Sequence, residues 1–445
     1  MGGFFRWSGL VVFGTVVIAV SLYTVSRLMP IPAEDAEALA LIEAPRPMEG
    51  RNGFAALWSL RHDVPVAEAE RLLVLEVERF RSRPILIGAG AEPSHASALD
   101  AYPRIDAEAG SDVLCSGRET QCLRHVRDRM DALVPAVAMR KALAARVAAL
   151  DDYEYFRSPF PARPDTPLPA YNPLFQTQTL HAYAFARGDR EEGLRGVCRN
   201  ASIARKLVAS GDMLVGGVMG TALMDTSTRL FVDMLAELPA DHPLPEECAA
   251  AFDADDAMLA GICPSMLGEG HYVLEGFRAM NVDEQPWHRR FMADIFLDQR
   301  KTMARGARRH AWFCGARADA LIRADTPLSR QAPVSGGWTF SCLANATGCI
   351  LDNIAAPSLA GYAERFQDAE ARLRTVSAWR ALRGQRDDAR PLEERLGEWQ
   401  RAHPGGRRMR IGTHGGGLEI DLFNDSQGRG FALPPPVDRA DLRAP

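Results

Sequence analysis

Lysine is almost absent from this chain: Lys141, Lys206 and Lys301 are the only ones among 52 basic residues. Nor does any cluster of basic side chains alternate with aromatics, and the formal net charge is -5, so the footprint of a nucleic-acid surface is missing. Nucleic acid is not an expected partner. The dominance of Arg, beside abundant Ala, reads as GC-rich coding bias, which weakens any single Arg as a pointer to a bidentate anion site.

Other signatures are missing too. Without CxxC or closely spaced Cys and His pairs, neither a zinc site nor a thioredoxin-like redox centre is expected. HExxH, GxSxG and SxxK do not occur, which removes the familiar metalloprotease and serine-nucleophile arrangements. Gly211, Gly216, Gly217 and Gly220 lie in an apolar run with no Walker lysine, so they read as a place where another helix approaches closely. No metal and no cofactor is expected.

What the chain does have is an uncharged run, SGLVVFGTVVIAVSLYTVS from Ser8 to Ser26, bracketed by Arg6 and Arg27. Crossing a hydrocarbon core of about 30 Å takes about 20 apolar residues, and Leu28 and Met29 extend the run to that length. Trp7 and Tyr23 stand near its ends, where amphipathic rings favour the interface. A secretory leader has a shorter apolar region and a small-x-small cleavage site. Here the exit reads Arg27-Leu28-Met29-Pro30-Ile31-Pro32, so a retained anchor over residues 8–29 is expected. Flanking charge only slightly favours a cytoplasmic amino terminus.

Eight cysteines follow the run, and none precedes it. An even number in an exported domain points to four disulfides and an oxidising compartment, the periplasm in a Gram-negative host. Cys115 with Cys122, and Cys342 with Cys349, each close a short loop contributing roughly 2–3 kcal/mol in the chain-entropy argument. Of the remaining four, Cys248 is expected with Cys263 and Cys198 with Cys314.

Periodicity predicts a mainly α protein: an N-terminal transmembrane helix, an irregular stack of α-helical hairpins and a small C-terminal antiparallel β-hairpin or sheet. The expected divisions are a cytoplasmic stub and anchor (1–29), a connector (30–50), an N-terminal helical subdomain (51–157), a proline-rich strap or linker (158–173), a C-terminal helical domain (174–403) and a β-hairpin tail (404–445). Helices are expected at 33–43, 52–62, 66–81, 121–150 with a break at Pro135, 174–187, 190–210 and 213–238. Further ones are expected at 245–252, 254–262, 266–279, 284–310, 317–324, 358–383 and 392–402. The segments 84–110 and 326–353 read as loop. Tyr153, Tyr155, Phe156, Phe160, Tyr171 and Phe175 surround the prolines and read as the pins of an extended strap.

The best concentration of chemical groups is GEGHYVLEG, with Glu269, His271 and Glu275 as candidate catalytic residues and His288 and Asp294 expected on a neighbouring helix. His271 and Glu275 are four apart and share a helix face, as an acid/base pair would. A His–Glu hydrogen bond tying two helices together explains the same residues and is the favoured reading.

The order of features, NGFAALW after the anchor, the Cys115/Cys122 loop, the proline-rich crossing, helical hairpins and APSLAGYAERFQDAEARLR before a terminal hairpin, resembles a family of single-pass, membrane-anchored, mainly helical proteobacterial envelope proteins. The resemblance implies the topology and carries over neither an activity nor a functional residue. The expectation is therefore a membrane-anchored periplasmic protein of the inner membrane with a non-enzymatic interaction or scaffold domain and a protein partner in the envelope. The alternatives are a periplasmic hydrolase or glycan-active enzyme using carboxylates and His271, and an immunity or regulatory partner of a secreted protein.

Overall fold

The computed structural model describes residues 2–83, 97–105, 110–117, 120–163, 165–279, 287–333, 337–355, 359–385, 388–412, 416–424 and 430–436. The protein is mainly helical. Helix α1 (Gly2–Leu28) carries the apolar run, and its segment Trp7–Leu28 is long and apolar enough to cross a membrane, the most apolar part of it standing clear of the domain. At 1.5 Å per residue those 22 residues span about 33 Å. Short helices follow: α2 (Ala33–Glu43), α3 (Phe54–Trp58), α4 (Val66–Ser82), α5 (Cys122–Arg127), α6 (Met130–Met139) and α7 (Lys141–Ala149).

The long helical pattern expected over 121–150 is thus three helices, and Pro135 is inside one of them. The breaks fall at Asp128–Arg129 and at Arg140 instead. The fully buried guanidinium of Arg140 donates to the Ala136 carbonyl (3.0 Å) and to Gln176 (3.2 Å), satisfying groups that a terminating helix leaves open. The expected helix 52–62 is only α3, because His62 turns away to bridge Arg104. Most of the expected loop 84–110 lies outside the described residues.

The main core is built on α8 (Asn172–Ala186), α9 (Arg190–Ala209) and α10 (Leu214–Leu235), which pack successively on one another. Gly188 and Gly211 take left-handed φ values of 104° and 54° at the two turns, as helix C-terminal glycines do. A Cβ on Gly220 would meet the Ala204 carbonyl at 2.8 Å, and one on Gly217 would meet the Phe366 ring at 2.7 Å. Close helix approach is therefore what these glycines serve.

The second half continues with α11 (Ala257–Ala260), α12 (Ile262–Ala279), α13 (Trp287–Phe296), α14 (Gln299–Ala311), α15 (Ala316–Arg323), α16 (Ala346–Ala355), α17 (Leu359–Gly384) and α18 (Leu392–Ala402). Asp298 splits the expected helix 284–310 by capping α14, its side chain accepting from the Lys301 amide. The expected loop 326–353 contains α16. Its run of Thr, Gly and Asn is poor helix material, but Asp352 binds it to α14 through Arg305 (2.8 Å) and Arg309, and Cys349 is bonded to Cys342. Residues 245–252 hold only the 3-10 turn Glu246–Cys248.

At the C-terminus β1 (Arg410–Ile411), β2 (Leu418–Ile420) and β3 (Phe431–Ala432) form the expected antiparallel sheet in that order, with Ile411 opposite Leu418 and Ile420 opposite Phe431. Leu418, Ile420 and Phe431 are buried in the main core, where β2 packs on α17. Where described, the proline-rich segment carries no helix or strand before α8 opens at Asn172, and the Thr166 amide donates back to the Arg163 carbonyl at 3.0 Å. Phe160 anchors it among Phe54, Trp58 and Phe80, with ring centroids 4.8–6.3 Å apart.

Four disulfides are present, and no free cysteine is found among the described residues. Cys115–Cys122 and Cys342–Cys349 are as expected. The other two pairings are not: Cys198 bonds Cys248, and Cys263 bonds Cys314. The reason is helix packing. Glu247 pairs with both Arg195 and Arg199, which laps the 3-10 turn onto the face of α9 that carries Cys198. Cys263 opens α12 and Cys314 follows the end of α14, and these two helices share the small core of Leu267, Leu274, Met303 and Ala307.

Candidate functional site

Helix α1 ends inside the folded domain. Tyr23 donates its hydroxyl proton to the Ile295 carbonyl at 2.8 Å. Ser26 is fully buried; its hydroxyl donates to the Phe340 carbonyl (2.9 Å) and accepts from the Ala344 amide (3.1 Å). Arg27 donates to the carbonyls of Leu297 (3.2 Å) and Ala344 (3.4 Å) and faces Asp298 at 3.9 Å. Lys301, one of the three lysines, caps the helix by donating to the Ser26 (3.0 Å) and Arg27 (2.8 Å) carbonyls. A cation on the last carbonyls complements the negative end of the helix dipole. Neither Ser26 nor Lys301 stands out by periodicity or motif, although a Ser at the end of an apolar run is a visible signal.

The candidates on α12 do not converge. Helical geometry directs Glu269 to an open hollow of about 480 Å³ beside Met213, Val215 and Phe277, where burial raises its carboxyl above the ordinary value and the Leu214 amide partly offsets this. His271 faces another cleft, where burial lowers its pKa, with Glu275 acting in the opposite sense. Glu275 spends its carboxylate on Arg278, which also binds Glu43 and so ties α12 to α2. His288 and Asp294 are exposed on α13 and line neither hollow. No group of three or more His, Cys, Asp or Glu side chains suited to a metal ion occurs among the described residues.

The His271 cleft, about 260 Å³, lies where the connector, the strap and the α9–α10 turn meet. Arg157 clamps the meeting point, donating to the carbonyls of Arg46 and Ser210. Asp212 Oδ2 accepts from the Ser158 amide at 3.0 Å, and burial lifts its carboxyl to about 6. Asp212 is legible in the sequence only as the start of a helix. Arg157 and Asp212 each close one chain segment onto another, so the arrangement works as a clasp.

Another cavity, about 470 Å³, lies between the start of α12, α15, α17 and the turn at Pro404–Gly406. Glu370 on its wall is 2% exposed. Its Oε2 meets no hydrogen-bond donor, whereas Oε1 accepts weakly from the Asp256 amide (3.4 Å). Burial, reinforced by the Asp256 carboxylate, pushes the Glu370 carboxyl from 4.5 up to about 7. A raised folded-state pKa means that the folded protein holds a proton which the unfolded chain releases near pH 4.5. Stability from this group is complete below that pH and is lost as pH rises through 7. Glu370→Gln is thus expected to gain on the parent by roughly 3 kcal/mol between pH 4.5 and pH 8, a tenfold change in proton affinity being worth about 1.4 kcal/mol. Urea unfolding of both proteins across that range tests it, and parallel curves for the two would refute it.

Comparison of the chain with protein-family models, curated proteins and solved structures finds no match.

Proposed function

We propose that this is a single-pass inner-membrane protein whose α1 is retained as an anchor, holding a disulfide-bonded helical domain on the periplasmic face. There it serves as a non-enzymatic scaffold for a protein partner. The observation that supports it is the foot of α1. Cleavage after the apolar run would strip Tyr23, Ser26 and Arg27 from the domain. It would leave Lys301 and the polar backbone groups around Ser26 without the partners they now have. Burying unsatisfied polar groups costs about 1–3 kcal/mol each, so the fold favours an intact N-terminus. Four disulfides suit an oxidising compartment. A scaffold is favoured over a hydrolase because Glu269 turns to a different hollow from His271, and Glu275 is taken up by Arg278. The helix pairs are read as an irregular stack of hairpins, which offers a partner a broad surface.

Three measurements test this. Intact mass of the protein purified from membranes is expected to include residues 1–29, and a C-terminal alkaline phosphatase fusion is expected to be active while a fluorescent-protein fusion that matures only in the cytoplasm stays dark. A mature chain beginning beyond Met29, or the reverse pattern of fusions, would overturn the anchored topology. For the scaffold, crosslinking in intact cells followed by purification is expected to yield one reproducible envelope protein.

A further inference from the structure

Large apolar side chains are exposed around the foot of α1 far more densely than elsewhere on the domain. On α13, Trp287 is 79% exposed, and Phe291 and Met292 are exposed as well, with the charged residues Arg290 and Asp294 interspersed among them. Trp338 is 63% exposed, and Phe340 and Leu343 follow it in the turn that receives Ser26. Ile350 and Ile354 (72% exposed) project from α16, which packs on both α13 and that turn. Elsewhere on the domain the exposed large apolar residues among those described are isolated, such as Val66, Val74, Val134 and Leu168.

Position along α1 indicates what covers this face. Side chains on an α-helix lean toward its N-terminus. The Ile295 carbonyl that receives the Tyr23 hydroxyl therefore lies level with the apolar run, not beyond it. The end of α13 thus reaches the depth at which the span begins. An exposed apolar patch of this extent marks an interaction surface. Tryptophans concentrate at the boundary of a bilayer.

We propose that α13, the segment Trp338–Leu343 and α16 form a collar around α1. The collar rests in the headgroup region of the leaflet from which α1 emerges and fixes the domain in one orientation on the bilayer. This rests on the anchored reading above. The occupant is lipid because the span leaves the domain at this same patch; a protein partner or a second copy of the chain would instead have to share it with the surrounding membrane.

The test uses the full chain in phosphatidylcholine nanodiscs. Because the eight native cysteines are all disulfide-bonded, a cysteine introduced by Trp287→Cys, Trp338→Cys or Ile354→Cys can be labelled selectively with an environment-sensitive fluorophore. Val16→Cys in the span and Val74→Cys on α4 serve as references. Each labelled protein is first required to keep the thermal midpoint of the parent. The three collar labels are expected to be blue-shifted and to lose most of their fluorescence to nitroxide-bearing lipid, as Val16→Cys does, whereas Val74→Cys is unaffected. Collar labels that behave like Val74→Cys while Val16→Cys is quenched would overturn the collar and leave the anchor standing. An unquenched Val16→Cys would overturn the anchor itself.

Discussion

Replacing Cys198 and Cys248 together by alanine is expected to lower the unfolding free energy by about 4 kcal/mol, the largest loss from any single crosslink in the protein apart from its near-equal, Cys263–Cys314. The two bridges span 50 and 51 residues, against 7 for each of the others. Loop-closure entropy in the unfolded chain grows with the logarithm of loop length, which gives about 4 kcal/mol for the long loops and about 2.4 for the short ones. Both sulfurs of Cys198–Cys248 are fully buried in the main core, so the alanines also leave unfilled volume. Urea midpoints for this double variant and for Cys115→Ala with Cys122→Ala supply the comparison. A loss no greater than that of the short-loop variant would contradict the argument. Peptide mapping without reduction checks the pairing separately, since a Cys248–Cys263 peptide is incompatible with the fold.

Asp368→Ala is expected to cost about 3–5 kcal/mol, the range found when one member of a buried charged group is removed. Asp368, 1% exposed on α17, holds the C-terminal sheet to the helical body. Its Oδ1 accepts from the Phe423 amide (2.8 Å) and from Arg407 (2.5 Å), and its Oδ2 from the Asn424 amide (2.8 Å). Arg407 also pairs with Asp325 at 3.0 Å and stacks 3.6 Å above the Phe423 ring. Truncation leaves two half-buried amides and the Arg407 guanidinium each short of an acceptor. Chemical unfolding measures the loss, and hydrogen exchange is expected to quicken at the amides of Leu418 and Ile420 before the rest of the core. A variant within about 1 kcal/mol of the parent, with unchanged exchange in β2, would show that the sheet is held by apolar packing alone.

The clasp at Asp212 and the candidates on α12 illustrate how far local pattern reaches. Helical periodicity puts His271 and Glu275 on one side of α12, and that holds. It carries no information about what faces them, so it does not show that Arg278 and Glu43 claim Glu275 while Glu269 turns to another hollow. Asp212 is visible as a helix start after Gly211. Its burial against Ser158, however, depends on a strap that arrives from more than fifty residues away. Glu370 lies within a strongly amphipathic pattern, where a carboxylate reads as solvent-facing until α11 and α15 are packed against it.

Features that depend on near neighbours are written in the chain itself. An apolar run of membrane-spanning length needs no tertiary partner to be recognised, and α1 follows it. Cys115 with Cys122 and Cys342 with Cys349 are legible because closing so short a loop costs little chain entropy. Alternation about the glycines near residue 416 is enough for the small sheet. The two long disulfides, the helix at Ala346–Ala355 and the seating of α1 were settled by folding alone. The pairings Cys198–Cys248 and Cys263–Cys314 are fixed by which helix faces meet, a result of packing summed over many residues. Helix α16 forms against its own weak propensity because Arg305 and Arg309 hold Asp352. The foot of α1 is held by backbone carbonyls near residues 295, 297, 340 and 344, and a sequence does not reveal where backbone groups will converge.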